Sequence, residues 1–304
     1  MERITDCLIL IGTWDIPAYL VVGKDRVVMV DAGAVSTAPA MYDDIVQAID
    51  AMGGKGFPDL VVFTHSHFDH VGGAPYLKRH IPSIRFGGHE YLFYTMGRQG
   101  ARKLIEGLNR RTSDPALIRD KLTDADFDYS LITGDVVLTD GELMDLGGGV
   151  SVTAVATPGH TKDSMCYLVE PGGIMLTGEA LGIVPGDELY VGPEFLTSYE
   201  DYVASIKKVK ALKPNRILTG HHSFAFSDRV DELIAASLRD AAALRDKIER
   251  YLGEEAMDEA RVIERVKAEE YLTARQGRQP EEAYLLNLKA QVQMVKNGMD
   301  KGEG

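Results

Sequence analysis

The chain has 304 residues, 45% hydrophobic and 26% charged, which are the proportions of an ordinary soluble globular protein with room for one large domain or one domain with an appendage. No run of about 18 apolar residues offers a membrane span, and Met1 leads almost at once into a strand pattern without a secretion-signal hydrophobic region, so a cytoplasmic location is expected. A formal net charge of −13, from 33 Lys and Arg against 46 Asp and Glu, argues against non-specific binding to nucleic acid or to an anionic membrane.

Strand patterns cover 7–12, 18–22 and 27–30, with Gly23-Lys24-Asp25 as a hairpin turn between the last two. Asp31-Ala32-Gly33 ends the third strand. An Asp before a small residue and a Gly marks a tight polar turn, so Asp31 is expected to support a neighbouring site rather than react itself. Met41, Ile45, Val46, Ile49 and Met52 recur at helical spacing over 40–52, and Gly53-Gly54 stops that helix. The apolar strand 60–63 then runs into Thr64-His65-Ser66-His67-Phe68-Asp69-His70. Strand, helix and strand thus deliver this loop at a strand's carboxyl end, where open α/β sheets place their ligands. It holds three of the chain's eight histidines. Imidazole and carboxylate suit zinc, iron or manganese, and side chains two apart on an extended loop can converge on one ion.

A helix is expected from about 73 to 80 and a strand at 84–86. His80 at that helix end, and His89 opening the helical stretch 90–94, stand apart from ligand spacing and are assigned to structure. Residues 91–122 read as helices rich in arginine (Arg98, Arg102, Arg110, Arg111, Arg119), broken at Thr112-Ser113-Asp114-Pro115. Such an insertion either caps a site or presents a solvated face. Strands return at 136–138, 143–146, 150–156, 165–169 and 174–176, followed by a helix over 199–212 and a strand at 217–218.

Beyond Ser227, Val230, Ile234, Leu238, Ala241, Leu244, Ile248 and Leu252 mark a long amphipathic helix, two more helical patterns cover 258–272 and 281–296, and 297–304 are expected to fray. No linker composition separates these helices from what precedes them. The expected division is a main domain over 1–227, with the helical insertion at about 91–125, and a helical extension over 228–304. The apolar stripes must bury against the main domain, each other or a second copy, so a homodimer is compatible with them. Cys7 and Cys166, each in apolar surroundings, read as small core residues.

Three later strand ends add to the histidine loop: His160 in Thr157-Pro158-Gly159-His160-Thr161, Glu179 in Thr177-Gly178-Glu179-Ala180, and His221 in Thr219-Gly220-His221-His222. Each follows a glycine that lets the backbone turn sharply. No Gly-x-Ser-x-Gly elbow is present and neither cysteine lies in a nucleophile motif, so covalent acyl-enzyme chemistry has no candidate.

The run H-x-H-x-D-H, the later P-G-H-T, the closing G-H and the early Asp31-x-Gly33 resemble, in order and spacing, the metallo-β-lactamase superfamily of metal-dependent hydrolases. The resemblance implies an α/β (α+β) fold, the αββα sandwich, with a two-metal site at one sheet edge. It implies that His65, His67 and His160 hold the first divalent ion and Asp69, His70 and His221 the second, with His222 as the alternative to His221. Glu179 stands where the family carries a bridging aspartate. One methylene longer, it would bridge with a shifted backbone, bind one ion only, or leave the second site weak. The insertion around Leu108-Asn109-Arg110, the stretch Glu179-Ala180-Leu181-Gly182 and the helical C-terminus resemble the thioesterase-like branch, that of the quinolone-signal response thioesterase, with glyoxalase II enzymes more distant.

The implied activity is attack of a metal-bound hydroxide on an ester or thioester carbonyl of a small-molecule acyl substrate, with Asp69 as the catalytic residue that orients the hydroxide or shuttles its proton. Zinc is the expected metal, with iron and manganese as the others. The alternatives are a redox di-iron protein, whose relatives show H-x-E-x-D where this chain has His65-x-His67-x-Asp69, and a regulatory or interaction protein on a weakened hydrolase scaffold.

Overall fold

The computed structural model describes the chain except residues 52, 53, 55, 185–188, 223, 224, 272–279, 303 and 304; for 51, 225, 226 and 300–302 only the backbone is described. One sheet runs β1 (Glu2–Arg3), β2 (Leu8–Gly12), β3 (Pro17–Val22), β4 (Val27–Val30), β5 (Leu60–Val62), β6 (Arg85–Gly88) and β7 (Val136–Val137) in chain order. Its first four strands pair antiparallel and β4 to β7 pair parallel. The second sheet has the order β13 (Ala225–Phe226), β12 (Arg216–Leu218), β11 (Ile174–Leu176), β10 (Met165–Glu170), β9 (Val150–Ala156) and β8 (Leu143–Gly147), with one parallel pair, β11 and β12.

The continuous apolar runs of the first half are strands buried on both faces. Leu8 and Leu10, Tyr19 and Val21, and Val28 and Val30 point into the space between the sheets, where Val152, Tyr167, Val169 and Leu176 meet them. The alternate residues Ile9, Ile11, Leu20 and Met29 point outward, under the helices α1 (Ala38–Ala51) and α3 (Ala74–His80). The insertion forms α4 (Glu90–Gly97), α5 (Gln99–Thr112) and α6 (Pro115–Lys121) on that same side. On the other side, α7 (Tyr199–Ala211), α8 (Val230–Glu254), α9 (Glu259–Glu270) and α10 (Glu281–Gly302) share one apolar cluster with Val155, Cys166, Met175 and Ile217 of the second sheet. This is the expected αββα sandwich. The stripes of α8 to α10 bury against that sheet and against one another within a single chain.

Several local expectations are corrected. The third parallel strand is Arg85–Gly88, shifted past the expected 84–86, because Gly87 and Gly88 pair with β7. The histidine loop contains a single helical turn, α2 (Phe68–Val71), too short for any periodic signal. Residues 297–302 continue α10 rather than fraying, while Glu303 and Gly304 lie outside the described residues, as do Met52, Gly53 and Leu272. His80 and His89 are structural as read: His80 Nδ1 lies 2.8 Å from the Tyr76 carbonyl, and His89 caps α4 by accepting from Tyr91 N–H at 3.1 Å. Cys7 and Cys166 are free and buried.

Tyr167 is fully buried between the sheets and donates its hydroxyl to the Phe63 carbonyl at 2.7 Å, two residues before His65. Tyr167→Phe strands that carbonyl without a partner. It is expected to lower unfolding free energy by about 1–3 kcal/mol, measured by urea titration; an unchanged midpoint would show the bond to be dispensable.

Candidate metal centre

β4 and β5 are parallel neighbours, so their carboxyl ends open on the same edge; β11 and β12 do the same in the facing sheet. From these ends come Asp31, the histidine loop, Glu179 and His221, and from the end of β9 comes His160. The turns tolerate little. Gly159 has φ +129°, and a Cβ there would lie 2.3 Å from Tyr202 Cα. A Cβ on Gly220 would lie 2.8 Å from the Gly178 backbone, so the close approach of the Glu179 and His221 loops requires glycine at this position. Met165 N–H, donating to the Thr64 carbonyl at 2.7 Å, ties the two sheets together at this edge.

The structure brings every expected ligand together. Donor atoms of His65, His67 and His160 lie within 4.8 Å of one another, as do those of Asp69, His70 and His221, and those of His65, His70 and Glu179. His160 Nε2 is 3.2 Å from His65 Nε2 and 3.1 Å from His67 Nδ1. Glu179 stands between the two groups. Its Oε1 lies 2.7 Å from His221 Nε2 and 2.9 Å from His70 Nε2, while Oε2 faces His65 and His160 at 3.3 and 3.9 Å. His222 turns away, with Nδ1 3.0 Å from Asp15 Oδ1 and its ring 5.0 Å from Trp14.

The outer nitrogens are held by oxygens. His70 Nδ1 donates to Asp31 Oδ2 at 2.9 Å, His160 Nδ1 to the Glu194 carbonyl at 2.7 Å, and His221 Nδ1 to the Asp15 carbonyl at 3.0 Å. Asp31, at φ +61°, is itself fixed by Thr64 N–H at 2.7 Å and the Thr64 hydroxyl at 2.8 Å. These bonds orient each ring with Nε2 facing inward, the nitrogen left to donate a lone pair when the ring is neutral.

The donor set fits divalent metal. Burial holds His65 well below its ordinary range in spite of Glu179, and pulls His160 down to about 3, so these rings are neutral and can donate lone pairs. Burial also disfavours charge on His70 and His221. There the Glu179 carboxylate prevails, with Asp31 helping at His70 and Asp69 at His221, which rises to about 9. Burial would raise Glu179, but His70, His65 and His221 keep it well below the carboxylate range. The pocket therefore draws positive charge between its carboxylates. Glu179 Oε2 is sealed from solvent without any hydrogen-bond donor among the described residues, an oxygen suited to a cation.

A cavity of about 500 Å³ opens beside this centre, bounded by α5 and α10 and lined by Ile16, Leu104, Ile105, Leu108 and Leu286 among others. The insertion does wall the site, so the first of its two readings holds for α5. At the exposed rim, Arg111 of α5 pairs with Glu282 of α10 at 2.7 Å. Sequence reasoning missed Glu194 and Asn287. Glu194 is 3% exposed, and burial followed by repulsion from Glu179 raises its pKa to about 8. Asn287 Nδ2 donates to its Oε2 at 3.0 Å. No spacing rule links residues so far apart; an acid in the otherwise apolar run 189–196 was the available signal.

The sandwich and the strand-end cluster define a metallohydrolase-type fold. The model of the metallo-beta-lactamase superfamily matches residues 11–221, and the chain belongs to that superfamily, whose members are generally metal-dependent hydrolases. A probable metallo-hydrolase of Burkholderia pseudomallei is 27% identical over 235 residues, 74% of this chain and 72% of that one. The atrochrysone carboxyl ACP thioesterase of Aspergillus fumigatus is 26% identical over 152 residues, which is 50% of this chain and 34% of that one. A metallo-beta-lactamase family protein of Thermus thermophilus has the same fold, with a TM-score of 0.64 at 16% identity, covering 99% of this chain and 95% of that one.

Asp31→Asn keeps the shape but not the charge that orients His70. It is expected to weaken zinc binding by roughly 10–100-fold, measured by competition with a chromophoric chelator; unchanged affinity would remove Asp31 from the support of the site.

Proposed function

We propose that the protein is a metal-dependent hydrolase that cleaves an ester or thioester bond of a small acyl substrate with a hydrophobic part. The observation that carries the reading is the position of the Glu179 carboxylate between two groups of inward-facing donors, at the floor of an apolar cavity. His65, His67 and His160 would hold one ion, Asp69, His70 and His221 a second, and Glu179 would be shared. Its added methylene is taken up by the close glycine packing of Gly178 and Gly220, which fits the bridging alternative among the three. Zinc, iron and manganese all suit imidazole and carboxylate ligands, zinc foremost. Divalent ions in such a site supply Lewis acidity and make water a nucleophile near neutral pH.

The chain's own residues do the rest. Asp69 lies within the α2 turn and stays partly exposed, 3.6 Å from His221 Nε2. It is the carboxylate placed to orient an attacking water and accept its proton. The walls from α5 and α10 bind the acyl chain and exclude bulk water, which strengthens every electrostatic interaction at the carbonyl. The thioesterase among the relatives supports the choice of acyl bond.

Chelation is expected to abolish hydrolysis of acyl thioesters and added zinc, manganese or iron to restore it; activity persisting in the His65→Ala/His67→Ala double variant would overturn the reading. Elemental analysis should return close to two metal ions per chain for the wild type and one for Glu179→Ala. A wild-type ratio of one would mean that Glu179 does not bridge. A visible spectrum with reversible oxidation and no thioester turnover would instead favour the di-iron redox alternative.

A further inference from the structure

Glu194 is a buried acid without a task in the centre described above. It belongs to none of the three donor groups, yet it lines the cavity beside them, and its backbone carbonyl fixes His160. Burying a carboxyl is costly unless its oxygens are satisfied. Only half of this one is. Oε2 accepts from Asn287 Nδ2 at 3.0 Å. Oε1 has no protein donor among the described residues, and it is also absent from the oxygens that are sealed off without a partner, which are Asp59 Oδ1, Asp163 Oδ2 and Glu179 Oε2. Oε1 therefore keeps an open side, and the cavity is the space on which Glu194 opens.

The support around Glu194 is that of a held group rather than a chance burial. Asn287 and Gln291 lie one turn apart on α10. The first fixes the Glu194 carboxyl and the second donates to the Pro193 carbonyl at 2.6 Å. The Tyr202 hydroxyl meets Glu194 N at 3.4 Å from the far side. If the site needed only packing against α10, an apolar side chain would supply it without leaving an oxygen facing an apolar cavity. Leu104, Ile105, Leu108 and Leu286 offer an acyl chain no polar partner, so an oxygen in that wall discriminates between substrates.

We propose that Glu194, held by Asn287, is a specificity-determining residue that selects acyl groups carrying a hydroxyl close to the scissile carbonyl. The assignment rests on the hydrolase reading, because it places that carbonyl at the donor cluster next to His160. A hydroxyl on the acyl chain fills the open side of Oε1 as donor or acceptor, whichever of the two holds the proton. An unsubstituted chain buries that oxygen without a partner, which is the larger penalty.

Binding to the metal-free full-length protein separates this inference from the hydrolase reading. The probes are two uncharged ketones that cannot be hydrolysed, 4-hydroxynonan-2-one and nonan-2-one, titrated by calorimetry. Wild type is expected to bind the hydroxy ketone roughly tenfold more tightly, and Glu194→Met to bring the ratio to about one while nonan-2-one binds at least as well as before. Glu194→Gln, which keeps the shape and one acceptor, should retain part of the preference and serves if the Met variant does not fold. Equal binding of the two ketones by wild type, or a preference untouched in both variants, overturns the proposal. With metal restored, the kcat/KM ratio for 3-hydroxyoctanoyl over octanoyl thioester should follow the binding ratio. If no thioester is turned over while the ketone preference holds, the hydrolase reading fails and the Glu194 site stands.

Discussion

Several imidazoles and two carboxylates meet at one sheet edge, and the arrangement depends on what lies behind each ring. A buried histidine free to choose its tautomer would turn an N–H inward and spoil a donor set. Here Asp31, the Glu194 carbonyl and the Asp15 carbonyl each take the outer proton of one ring. The inward nitrogens are then the ones free to take a cation in place of a proton. Asp31 can do this because the β4 end turns through a left-handed conformation and the Thr64 backbone and hydroxyl lock its carboxylate. The orientation of His70 thus originates in a turn and a threonine outside the donor groups.

That dependence explains which parts of the molecule were legible in the sequence. The two-faced burial of β2 to β5 wrote itself as continuous apolar runs, and the strand ends announced themselves through glycine followed by a ligand residue. Asp31 was readable as a support because Asp-x-Gly at a strand end is a local motif. The α2 turn was not, since four residues carry no period, and the Gly87-Gly88 extension of β6 was hidden because glycine signals a break unless a partner strand supplies the pairing. The continuation of α10 past 297 was hidden for a similar reason, as helix ends have weak local signals.

Glu179 shows how far spacing alone carries. Its place in the order of motifs identified it as the counterpart of an aspartate, and its length left three outcomes open. The facts that bear on them are non-local: Gly178 lies against Thr64 and Gly220 against Gly178, and the Glu179 oxygens lie near both donor groups. A Cβ at Gly220 would meet the Glu179 carboxylate at 3.0 Å as well as the Gly178 backbone. The methylene gained in the side chain is therefore accommodated by the absence of one on its neighbour's loop.

The C-terminal helices belong to the same physical unit as the centre. α8 to α10 share an apolar cluster with the second sheet, and α10 reaches the metal ligands in two steps, from Asn287 to Glu194 and from the Glu194 carbonyl to His160. The sandwich fixes the donor cluster, while the cavity beside it is bounded by α5 and α10, elements outside the two sheets. Fold membership therefore speaks for the donor cluster and not for what the cavity takes. Glu194 joins the two: its carboxyl is held by Asn287 of α10 and its carbonyl holds His160, so the cavity wall and the donor cluster share one residue.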